Sequence, residues 1–293
     1  MKCIFEQKHT KETKKSPPFS PFPPVKCSAQ PAFHLSTIND QPTTGAQRLK
    51  LTIAYDGAPF AGWQSQVGGN TVQDLVEAAL AKIAKTEIAI HGSGRTDAGV
   101  HALGQVAHFD APADSRMTPE SWLRALNANL PPEIRILRAA RAAADFHARF
   151  SAQGKTYRYE LWTGPVLPPH LHRRAWQVAT TPDFARLREA LEVFGGEHDF
   201  RAFTANRGGK PVEDTVRRIT AIRATRSGPL WRITFEGGGF LYKMVRMLTG
   251  AAVRVAQGRE DSSTLRRLLA EPRSGRWSHV APADGLTLVR VRY

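Results

Sequence analysis

The hydrophobic pattern changes period several times along the chain, and each change marks an element. Leu49, Leu51, Ile53 and Tyr55 alternate with polar or small residues, the period of a strand with one buried face. Thr71 then caps a helix, with Asp74 three residues on, and Val72, Leu75, Val76, Ala79, Leu80 and Ile83 form one apolar stripe at helical spacing. Strands are predicted over 88–91 and 105–109, separated by a glycine-rich loop. Thr118-Pro119 starts a second helix, with Pro at the first helical position, and this helix runs to Leu130 ahead of Pro131-Pro132. A strand begins at Ile134.

This β-α-β-β-α-β order is that of a split βαβ unit, and the remainder of the chain repeats it. A strand covers Lys155–Trp162, and a helix begins at Thr181-Pro182 and ends at Gly195. Strands follow near Asp214–Thr225 and Leu230–Glu236, then a helix from about Phe240 to Ala256, a short helix from Ser262, and a closing strand Leu286–Arg292. The expected fold is therefore α+β. Two ferredoxin-like βαββαβ half-domains, 48–150 and 151–293, share a mixed, mainly antiparallel central sheet, with helices on one side and an active-site cleft between the halves. No strong residue-level repeat accompanies the repeated element order.

Residues 1–47 break every one of these periods. Seven of the chain's 20 prolines lie there, in and around Ser16–Pro24, behind a cluster of Lys8, Lys11, Lys14 and Lys15. The expectation is a disordered basic arm. An RNA-affinity tail, a transit peptide and an early start codon are all compatible with it. The formal net charge is +15. It does not depend on the arm, because positions 48–293 hold 35 Lys and Arg against 23 Asp and Glu. Such a balance favours a polyanionic partner, nucleic acid first and an anionic membrane surface second. Both cysteines, Cys3 and Cys27, fall in the arm, which excludes a disulfide or cysteine metal site in the folded part. No apolar run is long enough for a transmembrane helix, and no secretory signal opens the chain, so the cytoplasm is the expected compartment.

The chemistry concentrates in His91-Gly92-Ser93-Gly94-Arg95-Thr96-Asp97-Ala98-Gly99-Val100-His101. Gly92-x-Gly94 suggests a phosphate cradle, but the loop leads into a strand rather than a helix and carries no lysine. His91, Asp97 and His101 match no common metal-ligand spacing. A surface ion pair between Arg95 and Asp97 would contribute only about 0–1 kcal/mol, a weak reason for such residue density. The remaining reading is a carboxylate, Asp97, kept ionised by Arg95 in a partly desolvated pocket, where it can act as nucleophile or base. Contact is plausible because side chains two residues apart on extended chain point the same way.

The run Gly92–His101 resembles the signature of the pseudouridine synthases, in particular the tRNA pseudouridine synthase A family. Tyr55-Asp56-Gly57 with Phe60-Ala61-Gly62-Trp63-Gln64 resembles that family's N-terminal signature, and Phe146–Ala152 with Lys155-Thr156-Tyr157-Arg158-Tyr159 its central one. His198-Asp199-Phe200, Phe240–Arg246 and Ala281–Leu286 resemble the C-terminal ones, so the likeness spans about residues 48–293. Thr287 departs from it, standing where many members carry an aromatic residue or cysteine.

The resemblance implies isomerisation of uridine to pseudouridine at positions 38 to 40 of the tRNA anticodon arm, without cofactor or metal, by a homodimer. It implies Asp97 as the catalytic residue, Arg95 as its pairing partner that helps open the RNA, and Tyr157 as the active-site tyrosine. Arg246 either holds a phosphate or joins the Asp97 pair. A non-catalytic RNA-binding protein on the same fold, and a synthase acting on another RNA, are the alternatives.

Overall fold

The alternation that opens the folded part becomes β1 (Gln47–Tyr55), in which Leu49, Leu51, Ile53 and Tyr55 are all buried. The computed structural model describes residue 45 and residues 47–178, 180, 182–206 and 213–293, all within one unit spanning 41–293. The reading of the N-terminal arm therefore falls almost wholly outside the described residues. After β1 come α1 (Val72–Ala84), β2 (His91–Gly92), β3 (His101–Ala111), α2 (Pro119–Asn129) and β4 (Ile134–Arg141). The chain continues through β5 (Gly154–Trp162), β6 (Trp176–Gln177), α3 (Phe184–Glu192), β7 (Gly196–Asp199), β8 (Val216–Ser227) and β9 (Leu230–Gly237). It ends with α4 (Met244–Ala256), α5 (Ser262–Ala270) and β10 (Leu286–Arg292).

The strands form one sheet in the order β4-β1-β3-β10-β5-β9-β8-β7, with β2 beside β3 and β6 beside β5. Within it, β4-β1-β3-β2 and β10-β5-β9-β8 have the same neighbour order, with the first strand of each set lying between its fourth and third. Two split βαβ units are thus fused edge to edge. The join is β10, which runs parallel to β3 through Thr287↔His101 and Leu288↔Ala102 and antiparallel to β5 through Leu286↔Tyr159 and Leu288↔Tyr157. The pairings Tyr157↔Phe235, Tyr159↔Ile233 and Leu161↔Trp231 extend this buried stripe across β9. The helices pack in two pairs, α1 against α2 and α3 against α4, and their buried residues share one core with the sheet.

Local chemistry explains the helix starts. Thr71 and Asp74 form a reciprocal capping box on α1, and Thr118 caps α2 with Pro119 at its first position. Expectations shift at several boundaries; the strand expected over 105–109 runs from His101 to Ala111, taking in the end of the glycine-rich run. The strand predicted over 88–91 shortens to His91–Gly92, because the Ile90 amide donates to the Glu77 side chain at 3.0 Å rather than to a strand partner. The helix expected from Thr181 starts at Phe184, where Asp183 accepts from the amides of Ala185 and Arg186; Thr181 itself lies outside the described residues. The helix expected from Phe240 starts at Met244, because Lys243 takes a left-handed conformation, φ 60°, that a continuous helix cannot include. The short strands β6 and β7 carry no alternation long enough to predict them.

Candidate active site

Residues 93–100 leave β2 and return as β3, and the loop is fixed by groups on both sides. At its stem the Ser93 amide donates to Val106 O at 2.7 Å and its hydroxyl to Gln105 Oε1 at 2.6 Å, while Gln105 Nε2 donates to Gly94 O at 2.9 Å. Lys155 Nζ, from β5, donates to Ser93 O at 2.9 Å, in space that a Cβ on Gly94 would occupy. Burial brings the Lys155 pKa down to about 8, and the charge of Arg149 acts in the same direction. Nearer the tip, the Trp63 amide donates to Thr96 O at 3.2 Å, and the Tyr55 and Thr96 hydroxyls share a 2.8 Å hydrogen bond. Gly62 permits this approach: it sits at φ 96°, and a side chain there would come within 2.6 Å of Thr96 O.

On this frame Asp97 Oδ2 accepts from Arg246 Nη1 at 2.9 Å, a contact that spans 149 positions of sequence. Arg246 lies in the first turn of α4, and its Nε donates to Ala281 O at 2.8 Å, so the guanidinium is aimed from two directions. The Asp97 and Arg246 side chains are only 16% and 14% exposed, so the pair is largely withdrawn from water and its charges are weakly screened. Tyr157, on β5, is buried edge-on against Phe240 with ring centroids 5.2 Å apart. Burial raises its pKa, and the neighbouring Tyr55 and Asp97 raise it further. The phenol therefore keeps its proton across physiological pH.

The structure thus gathers Asp97, Arg246 and Tyr157 where side chains of the two split units meet. Arg95 is exposed on the same loop, and its Nε donates to Gln64 Oε1 at 3.1 Å. His101 and His91 are occupied differently. The His101 ring is held between the Gly57 amide at Nδ1 and the carbonyls of Arg173 and Asp284 at Nε2, and the His91 ring stacks on His108. Among the described residues no group of three or more His, Cys, Asp or Glu is placed to hold a metal ion. Thr287 pairs with Arg158 and alternates with the buried Leu286 and Leu288, which pair with Tyr159 and Tyr157; its side chain therefore faces the opposite side of the sheet from Tyr157.

Sequence reasoning gave no individual role to Tyr55, Gln64, Thr96, Gln105 and Lys155, which support the loop and its rim. A signal for Lys155 was present: it lies two residues before Tyr157 on one strand, so both side chains share a face. A mostly buried carboxylate held by a charged hydrogen bond, beside a neutral phenol, can attack an electron-poor carbon or take up a proton.

A family model described as tRNA pseudouridine synthase matches residues 51–151 and 190–293. The tRNA pseudouridine synthase A of Akkermansia muciniphila is 49% identical over 251 residues, covering 84% of this chain and 95% of the relative. That of Solidesulfovibrio magneticus is 46% identical over 259 residues (84% and 91%), and that of Geobacillus kaustophilus 41% over 249 residues (84% and 95%). With its family signature matched across both halves of the sheet, this chain belongs to the tRNA pseudouridine synthase family.

Proposed function

We propose that the protein isomerises uridine to pseudouridine at positions 38 to 40 of the tRNA anticodon arm, with Asp97 as the catalytic carboxylate. The observation that carries this reading is the Asp97–Arg246 hydrogen bond beside Tyr157, at the meeting of the two split units. In the reaction the N1–C1′ bond breaks, the uracil turns, and C5 bonds to C1′. The proton leaves C5 and N1 acquires one, so no redox equivalent enters or leaves. Asp97 either attacks C1′, adds to the base, or takes a proton in a glycal-forming step. Arg246 keeps its carboxylate oriented. Tyr157 stacks on the extruded uracil, which offsets part of the few kcal/mol that leaving the helical stack costs. Arg95, exposed at the rim, contacts the RNA that is being opened.

The half-domains 48–150 and 151–293 then supply the two walls of the cleft. Positions 48–293 are basic, which suits binding through RNA phosphates with a steep salt dependence. A homodimer working in the cytoplasm completes the proposal. Among the described residues no helix is long and apolar enough to cross a membrane.

The test is tritium release from tRNA carrying [5-³H]uridine, with wild type and Asp97→Asn side by side. Release by wild type alone is expected. Release by both would move the catalytic role away from Asp97. Release by neither, from folded protein that still binds tRNA, would point to a binding protein or to another RNA substrate.

A further inference from the structure

Phe150 is 75% exposed, and it is the sole aromatic among the large hydrophobic side chains left exposed in the described residues. It is also held firmly. The His147 Nδ1 accepts from the amides of both Arg149 and Phe150, at 3.0 and 3.2 Å. The His147 amide donates to Ser151 Oγ at 3.0 Å, and the Ser151 amide returns to His147 O at 2.9 Å. The turn is tied to the sheet as well: the Ala148 amide donates to His108 Nδ1 on β3, and the Tyr293 hydroxyl donates to Ala148 O at 2.6 Å. One face of the Phe150 ring is covered by the His147 ring, centroids 4.3 Å apart, and the Arg149 guanidinium stands 5.6 Å from the ring centre. Six such bonds hold this apolar ring out in water rather than folded back into the core.

The position of this turn suggests a purpose. His147 lies 6.0 Å from His91, which opens the catalytic loop, and Arg149 acts electrostatically on Lys155, which holds that loop's stem. A rigid aromatic ring with a cation standing over it, on a basic protein, matches the chemistry of an unpaired nucleobase followed by its phosphate. We propose that Phe150, backed by His147 and flanked by Arg149, is a stacking site for one unpaired nucleobase of the bound RNA, outside the catalytic pocket. This rests on the reading of the protein as an RNA-modifying enzyme.

Fluorescence anisotropy with a labelled RNA hairpin and with a blunt duplex of the same stem tests it, using wild type, Phe150→Ala and Phe150→Tyr. Phe150→Ala should weaken hairpin binding by roughly 5- to 150-fold, the range expected for one lost base–aromatic stack, and leave duplex binding unchanged. Phe150→Tyr, which keeps the ring, should restore hairpin affinity. Equal weakening on both RNAs, or none on either, overturns the stacking site. So does a change in sedimentation of Phe150→Ala, which would make this face a subunit contact. Tritium release by wild type, measured in parallel, separates the two readings. Turnover with no Phe150 effect removes only the stacking site, and a Phe150-dependent hairpin preference without turnover removes only the enzyme.

Discussion

Two arginine–carboxylate pairs in this molecule are made of the same side chains and built in opposite ways. Arg48 and Asp110 stand directly across from each other in the β1–β3 ladder, and Arg48 donates two parallel hydrogen bonds to the carboxylate, Nε to Oδ1 and Nη2 to Oδ2, both 2.8 Å. Arg246 and Asp97 come from α4 and a loop, and a single bond of 2.9 Å joins one nitrogen to one oxygen. The first pair satisfies both carboxylate oxygens and also ties Arg48 Nη1 to Phe146 O, so it fixes the register of neighbouring strands. The second engages one oxygen of its carboxylate, although that carboxylate is the less exposed of the two, 16% against 29%. A fork-to-fork pair is a fastening, whereas a single charged bond leaves one carboxylate oxygen unclaimed by its arginine.

Replacing each acid separates the pairs most widely. Asp97→Asn should cut turnover by at least about 1000-fold while lowering stability by no more than about 1.5 kcal/mol. Asp110→Asn should do the reverse, lowering stability by about 1.5–3 kcal/mol with turnover per folded molecule little changed. Tritium release and urea unfolding on both variants check this, and a comparable loss of turnover in each would erase the distinction. The arginines give the next largest contrast. A lysine at position 246 offers one compact ammonium in place of a fork reaching both Ala281 O and Asp97, so Arg246→Lys should slow turnover by about 10- to 100-fold. Arg48→Lys should cost only stability, about 1–2 kcal/mol, measured by the same unfolding experiment.

Lys155 sharpens the comparison as a buried cation that meets a backbone carbonyl, Ser93 O. Its pKa of about 8 lies below the usual 10.5. Between those values the unfolded chain still holds a proton that the folded chain has released, so stability should rise with pH across this window, by up to about 3 kcal/mol. Below pH 8 the cost of burying the charge is fully present. Lys155→Met should flatten the rise, and unfolding curves at successive pH values would show it. The smallest effect belongs to Asp110, whose pKa the Arg48 hydrogen bonds hold below the usual 3.8. Its stabilisation is present above 3.8 and disappears as pH falls through the lower folded value, so Arg48→Met should shallow the acid limb of the stability profile.

The sequence made the alternating and amphipathic elements plain, because their periods survive whatever packs on them: β1, α1, α2, β5, β9 and β10 lie where the pattern puts them. Boundaries set by one backbone angle or one side chain were not legible. Nothing in Phe240–Lys243 announces the left-handed Lys243, and nothing near Ile90 announces the Glu77 carboxylate that takes its amide out of the sheet. The same holds at the site. Asp97 stood out because glycines and charge crowd around it locally. Its partner was harder to see, since local spacing favoured Arg95 and the hydrogen bond to Arg246 depends on two split units sharing one sheet. Arg246 could be named beforehand only through the family signature, and with two possible roles.

The most direct measurement is a single-nucleotide map of pseudouridine in an unmodified tRNA transcript incubated with the purified full chain, wild type or Asp97→Asn. Product confined to positions 38 to 40 with wild type, and absent with Asp97→Asn, is the expected result. Product formed by Asp97→Asn at the wild-type rate, or by wild type only at other positions, would contradict it.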